Sequence, residues 1–169
     1  MAQQSTRTAV TLGADEFKEI EIRDREADFY DDWCASKGLW WNEVELLGVM
    51  SLLNLQQTDV VFDAGCGTGR VLVRVAPMVK QVIGVDYSPR SVQVLSWKLQ
   101  DGMITNATGV VGNLTNLGLA DESLDKIVSV QVIQHIPSQA KRIAVLREFR
   151  RVLKRGGTLF SRSIGGAVR

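Results

Sequence analysis

The chain has 169 residues, 45% of them apolar and 23% charged, with a formal net charge of +1, which suits one soluble globular domain with a real core. No run approaches the ~20 apolar residues that a membrane span needs. Two cysteines (Cys34 and Cys66) with no pairing pattern and a single histidine (His135) argue against a disulfide framework or a metal cluster. With no apolar leader at the N-terminus, the expected setting is reducing and cytoplasmic.

The charge is unevenly spread. Residues 1–45 carry eleven acids against five Lys or Arg, and residues 138–169 carry nine Lys or Arg against the single acid Glu148. Such asymmetry marks either a nucleic-acid footprint or the solvated face of one helix. The second reading is preferred for Lys141, Arg142, Arg147, Arg150, Arg151, Lys154 and Arg155, and the acidic N-terminal third is available to lie against that face.

In chain order, residues 1–12 read as a disordered arm or, over Thr6–Leu12, a short strand. Asp15 to about Trp33 reads as one or two charged helices. Six of the eleven aromatic residues lie between Phe17 and Trp41. They read either as packing onto the sheet edge, the preferred role for Trp40 and Trp41, or as a cap whose ring faces favour a cation. Asn42 reads as an N-cap with Glu45 completing a capping box, ahead of a helix with Leu46, Leu47, Val49, Met50 and Leu53 at helical spacing. This divides the chain into an arm and helical cap (1–41) and a core (42–169).

Val60–Gly69 organises the rest. Val60, Val61 and Phe62 form a buried strand, then Asp63 precedes Gly65, Gly67 and Gly69 at alternate positions. A helix from Arg70 to Ala76 follows, which Pro77 helps to end. Glycines at a strand-to-helix turn take positive φ and let a ligand approach the backbone. Gln81–Asp86 is a second strand ending in an acid, placed to accept hydrogen bonds from ribose hydroxyls. Ser88 and Pro89 start a helix that closes at Asp101 and Gly102. Gly109–Gly112 reads as the third strand, Leu117–Ser123 as a loop and Asp125–Gln131 as the fourth strand. A helix capped by Ser138 runs to Leu153 and is ended by Gly156, and Thr158–Ser163 is strand five. Alternating strands and helices imply a parallel, doubly wound α/β sheet.

A dinucleotide fingerprint wants its last glycine where Arg70 stands. Gly-x-Gly-x-Gly two residues after Asp63 instead resembles motif I of the class I S-adenosylmethionine-dependent methyltransferases (methyltransferase type 11-like). Val82–Ser88 resembles that family's ribose-binding strand end. Gly112–His135 resembles its adenine loop and fourth strand, and Leu153–Leu159 its Leu-Lys-Pro-Gly-Gly turn, with Arg155 in place of Pro. The resemblance covers roughly residues 55–163 and implies a Rossmann-like sheet in the order 3-2-1-4-5. The family normally adds strands six and seven, which this sequence lacks, so a shortened C-terminal side is expected; the exposed strand-five edge is read as covered by self-association, the preferred reading, or by the Thr6–Leu12 arm as an added strand, or as left beside a mobile tail. Arg162 is expected to protect that edge.

By this resemblance the cofactor is S-adenosyl-L-methionine. Asp63 faces its amino group, Gly65, Gly67 and Gly69 admit its backbone, and Asp86 takes its ribose hydroxyls beside Tyr87. Asn113 stands where the family has Asp and accepts from the adenine amino group, Leu114 offers its N–H, and Gln131 lines the methionine side. Tyr30 reads either as a cofactor contact or as helix packing, and Cys66 as a small turn residue. His135 reads either as a general base or as a structural loop residue. The implied activity is methyl transfer to a small-molecule acceptor. The alternatives are an RNA (tRNA) methyltransferase, favoured by the basic helix, and a truncated cofactor-binding module without turnover.

Overall fold

The computed structural model describes residues 13–36 and 39–163. Three helices come first: α1 (Ala14–Glu26), α2 (Tyr30–Ser36) and α3 (Leu39–Leu53). Then strands and helices alternate: β1 (Val60–Ala64), α4 (Leu72–Val75), β2 (Gln81–Asp86), α5 (Pro89–Asp101), β3 (Ala107–Val111), β4 (Leu124–Val130), α6 (Gln139–Val152) and β5 (Leu153–Arg162). The sheet order is β3-β2-β1-β4-β5 and every pairing is parallel, as the sequence implied.

The central strand shows why. Successive side chains of a strand point to opposite faces, so a strand covered on both faces is apolar throughout. Val61 packs with Leu46, Val49 and Leu53 of α3 and with Leu72, Val75 and Leu95 on one face. Phe62 packs with Ile127, Val145, Phe149 and Val152 on the other, its ring 6.3 Å from that of Phe149 at 69°. Each such fully buried side chain stabilises the fold by about 1.5–3 kcal/mol. Helices α3, α4 and α5 thus cover one face and α6 the other.

Several boundaries differ from expectation. The helix after the glycine turn is short, Leu72–Val75, and Pro77 sits in a 3₁₀ turn, Ala76–Met78. β3 begins two residues before Gly109, and β4 runs one residue earlier at each end. α3 begins at Leu39, so Asn42 lies inside the helix and Glu45 is no capping-box partner. Gly156 does not end α6, which stops at Val152. Leu124 pairs with Leu153 but Lys126 pairs with Thr158, so Lys154–Gly157 bulges out of β5 and Gly156 takes φ +80° there. Ser88 caps α5 as expected, its hydroxyl accepting from Ser91 N at 2.9 Å. The Thr6–Leu12 arm and Ile164 onward lie outside the described residues.

Candidate active site

A cavity of about 900 Å³ opens at the carboxyl ends of β1, β2 and β4 and is covered by α1 and α2. Strand ends at the point where the strand order reverses are where open α/β sheets bind ligands. Among the expected site residues, Tyr30, Asp63, Gly65, Gly67, Asp86, Tyr87, Leu114, Gln131 and His135 all line it.

Asp63 is 2% exposed and its Oδ2 has no hydrogen-bond partner. Burial, and then the negative charge of Asp86, push its carboxyl up to about 7. A buried carboxylate oxygen without a donor costs free energy, which a cationic donor recovers. Asp86 ends β2. Its Oδ2 accepts from Gly67 N at 2.8 Å and its Oδ1 from Ser88 N at 2.9 Å, so it pins the glycine turn as well as facing the cavity. Burial raises its pKa, and the backbone N–H groups of Ser88 and Gly67 oppose that.

The three glycines divide the work. Gly67 has φ +51° and open space where a Cβ would stand, so ligand atoms can reach the backbone there. Gly69 does not line the cavity. A Cβ at Gly69 would stand 2.4 Å from Leu95 Cδ1, so its missing side chain admits α5 to the turn. Asn113 is also absent from the lining. Its Oδ1 accepts from Thr115 N at 2.8 Å and Thr115 Oγ1 at 2.7 Å, an Asx turn that occupies both lone pairs. Cys66 is buried, and burial raises its thiol pKa well above the ordinary value, so it is an inert packing residue.

Tyr30 opens α2 and stacks on Trp33 with ring centroids 5.9 Å apart; burial pushes its hydroxyl up to about 12. Tyr87 donates to Glu16 Oε1 at 3.4 Å, and burial together with that carboxylate raises its pKa. Gln131, one residue past β4, takes φ +61° and donates its backbone N–H to Arg162 O at 2.7 Å. His135 closes a 3₁₀ turn, Ile133–His135, with Nδ1 facing Glu19 and Arg23.

Charged residues that sequence reasoning missed complete the wall. Glu45 receives Arg70 at 2.8 Å, Gln131 Nε2 at 3.3 Å and Arg162. Glu16, 5% exposed, accepts from Gly13 N at 2.8 Å and pairs with Lys141 of α6 at 2.5 Å. Arg162, expected to guard the sheet edge, instead reaches back to α3.

The family described as the methyltransferase domain matches residues 62–161. A Mycobacterium tuberculosis protein named as a probable S-adenosylmethionine-dependent methyltransferase is 36% identical over 59% of this chain and 33% of its own length. A human protein named as probable tRNA methyltransferase 9B is 35% identical over 60% of this chain and 20% of its own. The solved structure of YcgJ from Bacillus subtilis superposes with a TM-score of 0.62 at 30% identity, over 68% of this chain and 49% of that one. The chain spans about a third to a half of the length of the first curated relatives it matches. With more than half of its residues matched and the sheet order in agreement, the chain belongs to the methyltransferase domain family.

Proposed function

We propose that this chain binds S-adenosyl-L-methionine and transfers its methyl group to a small-molecule acceptor. The observation that carries the reading is the unpartnered Oδ2 of buried Asp63, beside Asp86 and the open face of Gly67. That donor set fits the cofactor. Asp63 would take the ammonium, Asp86 the ribose hydroxyls, and the backbone of Gly65, Gly67 and Leu114 the remaining polar edges. When bound, the cofactor supplies a methyl carbon on a sulfonium, whose C–S bond breaks with both electrons going to sulfur. The chain's own residues position the reactants and exclude water, and effective concentration alone accounts for much of the rate in such a displacement. His135 is the candidate base at the cavity wall.

A cavity of about 900 Å³ lies within the roughly 300–1,000 Å³ usual for small-molecule sites, which supports a small acceptor. Part of the basic segment is already paired with acids, which supports the small-acceptor reading over RNA. Lys141, Arg151, Lys154 and Arg155 are each paired with Glu16, Glu148 and Asp121, Asp125 and Glu122. The RNA reading is favoured by the human relative's name, and salt-sensitive binding to tRNA would support it. The deciding experiment for the cofactor is calorimetric titration with S-adenosylmethionine and S-adenosylhomocysteine, with NAD as control. Saturable heat with the first two and none with NAD is expected. No heat with either sulfur ligand overturns the reading.

A further inference from the structure

The polar wall at the β4 and β5 ends of the cavity holds more cation than anion. Glu45 of α3 stands between two guanidiniums: Arg70 Nη2 lies 2.8 Å from its Oε2, and Arg162 Nη1 donates to its Oε1. Gln131 Nε2 donates to the same Oε1 at 3.3 Å. All four residues line the cavity. Two guanidiniums about one carboxylate leave one positive charge over. Arg70 is shared, since it also draws down the pKa of Asp63. Once the cofactor's ammonium offsets Asp63, the surplus charge stays with the guanidiniums.

Arg162 has no such second duty. It is the last residue of β5, its side chain is 38% exposed, and among the described residues that side chain makes one hydrogen bond, to Glu45. A guanidinium carries five N–H donors in a planar fork. Nη1 is committed to Glu45, and the Nε–Nη2 edge keeps two parallel N–H groups for a second partner. The same cavity also carries an aromatic mouth. Phe29 and Trp33 line it while 69% and 53% exposed, and Tyr30 stacks on Trp33. Arg70 links the two features, because its charge acts on Tyr30 as well as on Glu45. Exposed rings at a cavity are surface that a ligand covers.

We propose that the methyl acceptor is a carboxylic acid with an aromatic body: Arg162, braced by Glu45, takes the carboxylate, and Phe29, Tyr30 and Trp33 cover the ring. This names the substrate class for the methyl-transfer reading above and rests on it. A guanidinium edge matches a carboxylate with two parallel N–H···O bonds, each about twice as strong as a neutral one. Glu45 holds the fork in place before the ligand arrives, so less rotamer freedom is lost on binding. The carboxylate is the group recognised. An uncharged analogue of the same shape forfeits that pairing and leaves the surplus charge unmet.

The test uses protein loaded with S-adenosylhomocysteine, which fills the cofactor end, and three probes: phenylacetate, phenylacetamide and acetate. Ligand-observed NMR titration is expected to show saturable binding of phenylacetate. The uncharged amide and the ringless acetate are each expected to bind at least ~10-fold more weakly. Arg162→Gln is expected to bring phenylacetate down to the level of the amide and to leave the amide unchanged, a shift in preference that loosened packing alone does not produce. Equal affinity for acid and amide in the parent, which needs no variant to observe, overturns the carboxylate assignment. A parental preference in Arg162→Gln overturns the role of Arg162. Acetate binding as tightly as phenylacetate overturns the aromatic body, and no saturable binding of phenylacetate overturns the whole proposal while leaving the methyl-transfer reading standing. Failure of S-adenosylhomocysteine to bind, measured first, overturns that reading and this proposal with it.

Discussion

Asp63 and Asp86 stand at the ends of adjacent strands, and the charge of Asp86 adds to burial in holding a proton on Asp63 up to about pH 7. The unfolded chain releases that proton near the ordinary value of 3.8. The folded protein therefore binds it more tightly, so the stability it contributes is complete below about pH 4 and is lost as pH rises through about 7. Each unit of difference corresponds to about 1.4 kcal/mol, which makes the total a few kcal/mol. Thermal unfolding should show the parent losing more stability between about pH 5 and pH 8 than Asp63→Asn does. Equal pH slopes would sink the idea. Affinity for S-adenosylmethionine should also rise with pH through the same range, because the ammonium can pair only once the proton has left.

Asp86 has a double duty that changes what its removal does. A strand-end acid read from sequence alone touches only ligand, so its loss should spare the fold. In the structure its two oxygens hold Gly67 N and Ser88 N, so Asp86→Ala releases the glycine turn too. Hydrogen bonds to a charged acceptor contribute about 1.5–3 kcal/mol each. Asp86→Ala should weaken S-adenosylmethionine binding by at least ~10-fold and lower the melting temperature as well. Asp86→Asn should fall between Ala and the parent on both readouts. Parental affinity in Asp86→Ala, measured by calorimetry, would remove Asp86 from the site.

The glycine turn offers a cleaner separation of fold from binding. Gly69→Ala sets a Cβ 2.4 Å from Leu95 Cδ1 at φ +88° and must strain the core. Gly67→Ala meets no atom within 4 Å and bears only the left-handed backbone penalty, about 1–2 kcal/mol. Gly69→Ala should therefore be the less stable variant, and Gly67→Ala the one that keeps most stability but binds S-adenosylmethionine poorly. Denaturant unfolding and calorimetry on the two variants decide it. The reverse ranking would show that Gly67, not Gly69, is the packing glycine.

The strand–turn–strand unit was legible because its signals are local. Apolar runs, alternate glycines and an acid at Asp86 all fall within 27 residues, and their chemistry is fixed by backbone geometry. What stayed hidden is the charged wall. Glu45 meets Arg162 across 117 residues and Glu16 meets Lys141 across 125. Nothing in a local window separates Glu45 from a capping-box acid or Glu16 from a solvated one. Asn113 misled for a related reason: its amide suits a ligand, but Thr115 two residues on satisfies it first. Gly156 reads as a helix stop, yet its positive φ serves a bulge in β5.

The seat of α1 is the remaining feature open to a single substitution. Asp24 Oδ1 accepts from Ser88 Oγ at 2.5 Å and from Arg90 N at 3.1 Å, which places a carboxylate on the N-terminus of α5. Asp28 adds a two-pronged pair to Arg90, at 2.7 and 3.0 Å. Anions are stabilised at a helix N-terminus by its unpaired N–H groups and dipole, by about 0.3–1 kcal/mol when exposed and up to ~2 when partly buried. Asp24→Ala should therefore loosen α1 while leaving the sheet intact, since Ser88 still caps Ser91 N. Hydrogen exchange should quicken several-fold along Ala14–Glu26 and stay unchanged in β1 and β2. The imidazole of His135 should move toward the titration of an isolated histidine as Glu19 and Arg23 withdraw together. If exchange in α1 remains parental, the contacts left in place, chiefly the pair between Glu16 and Lys141, hold the helix. Lys141→Ala would then be the substitution that frees it.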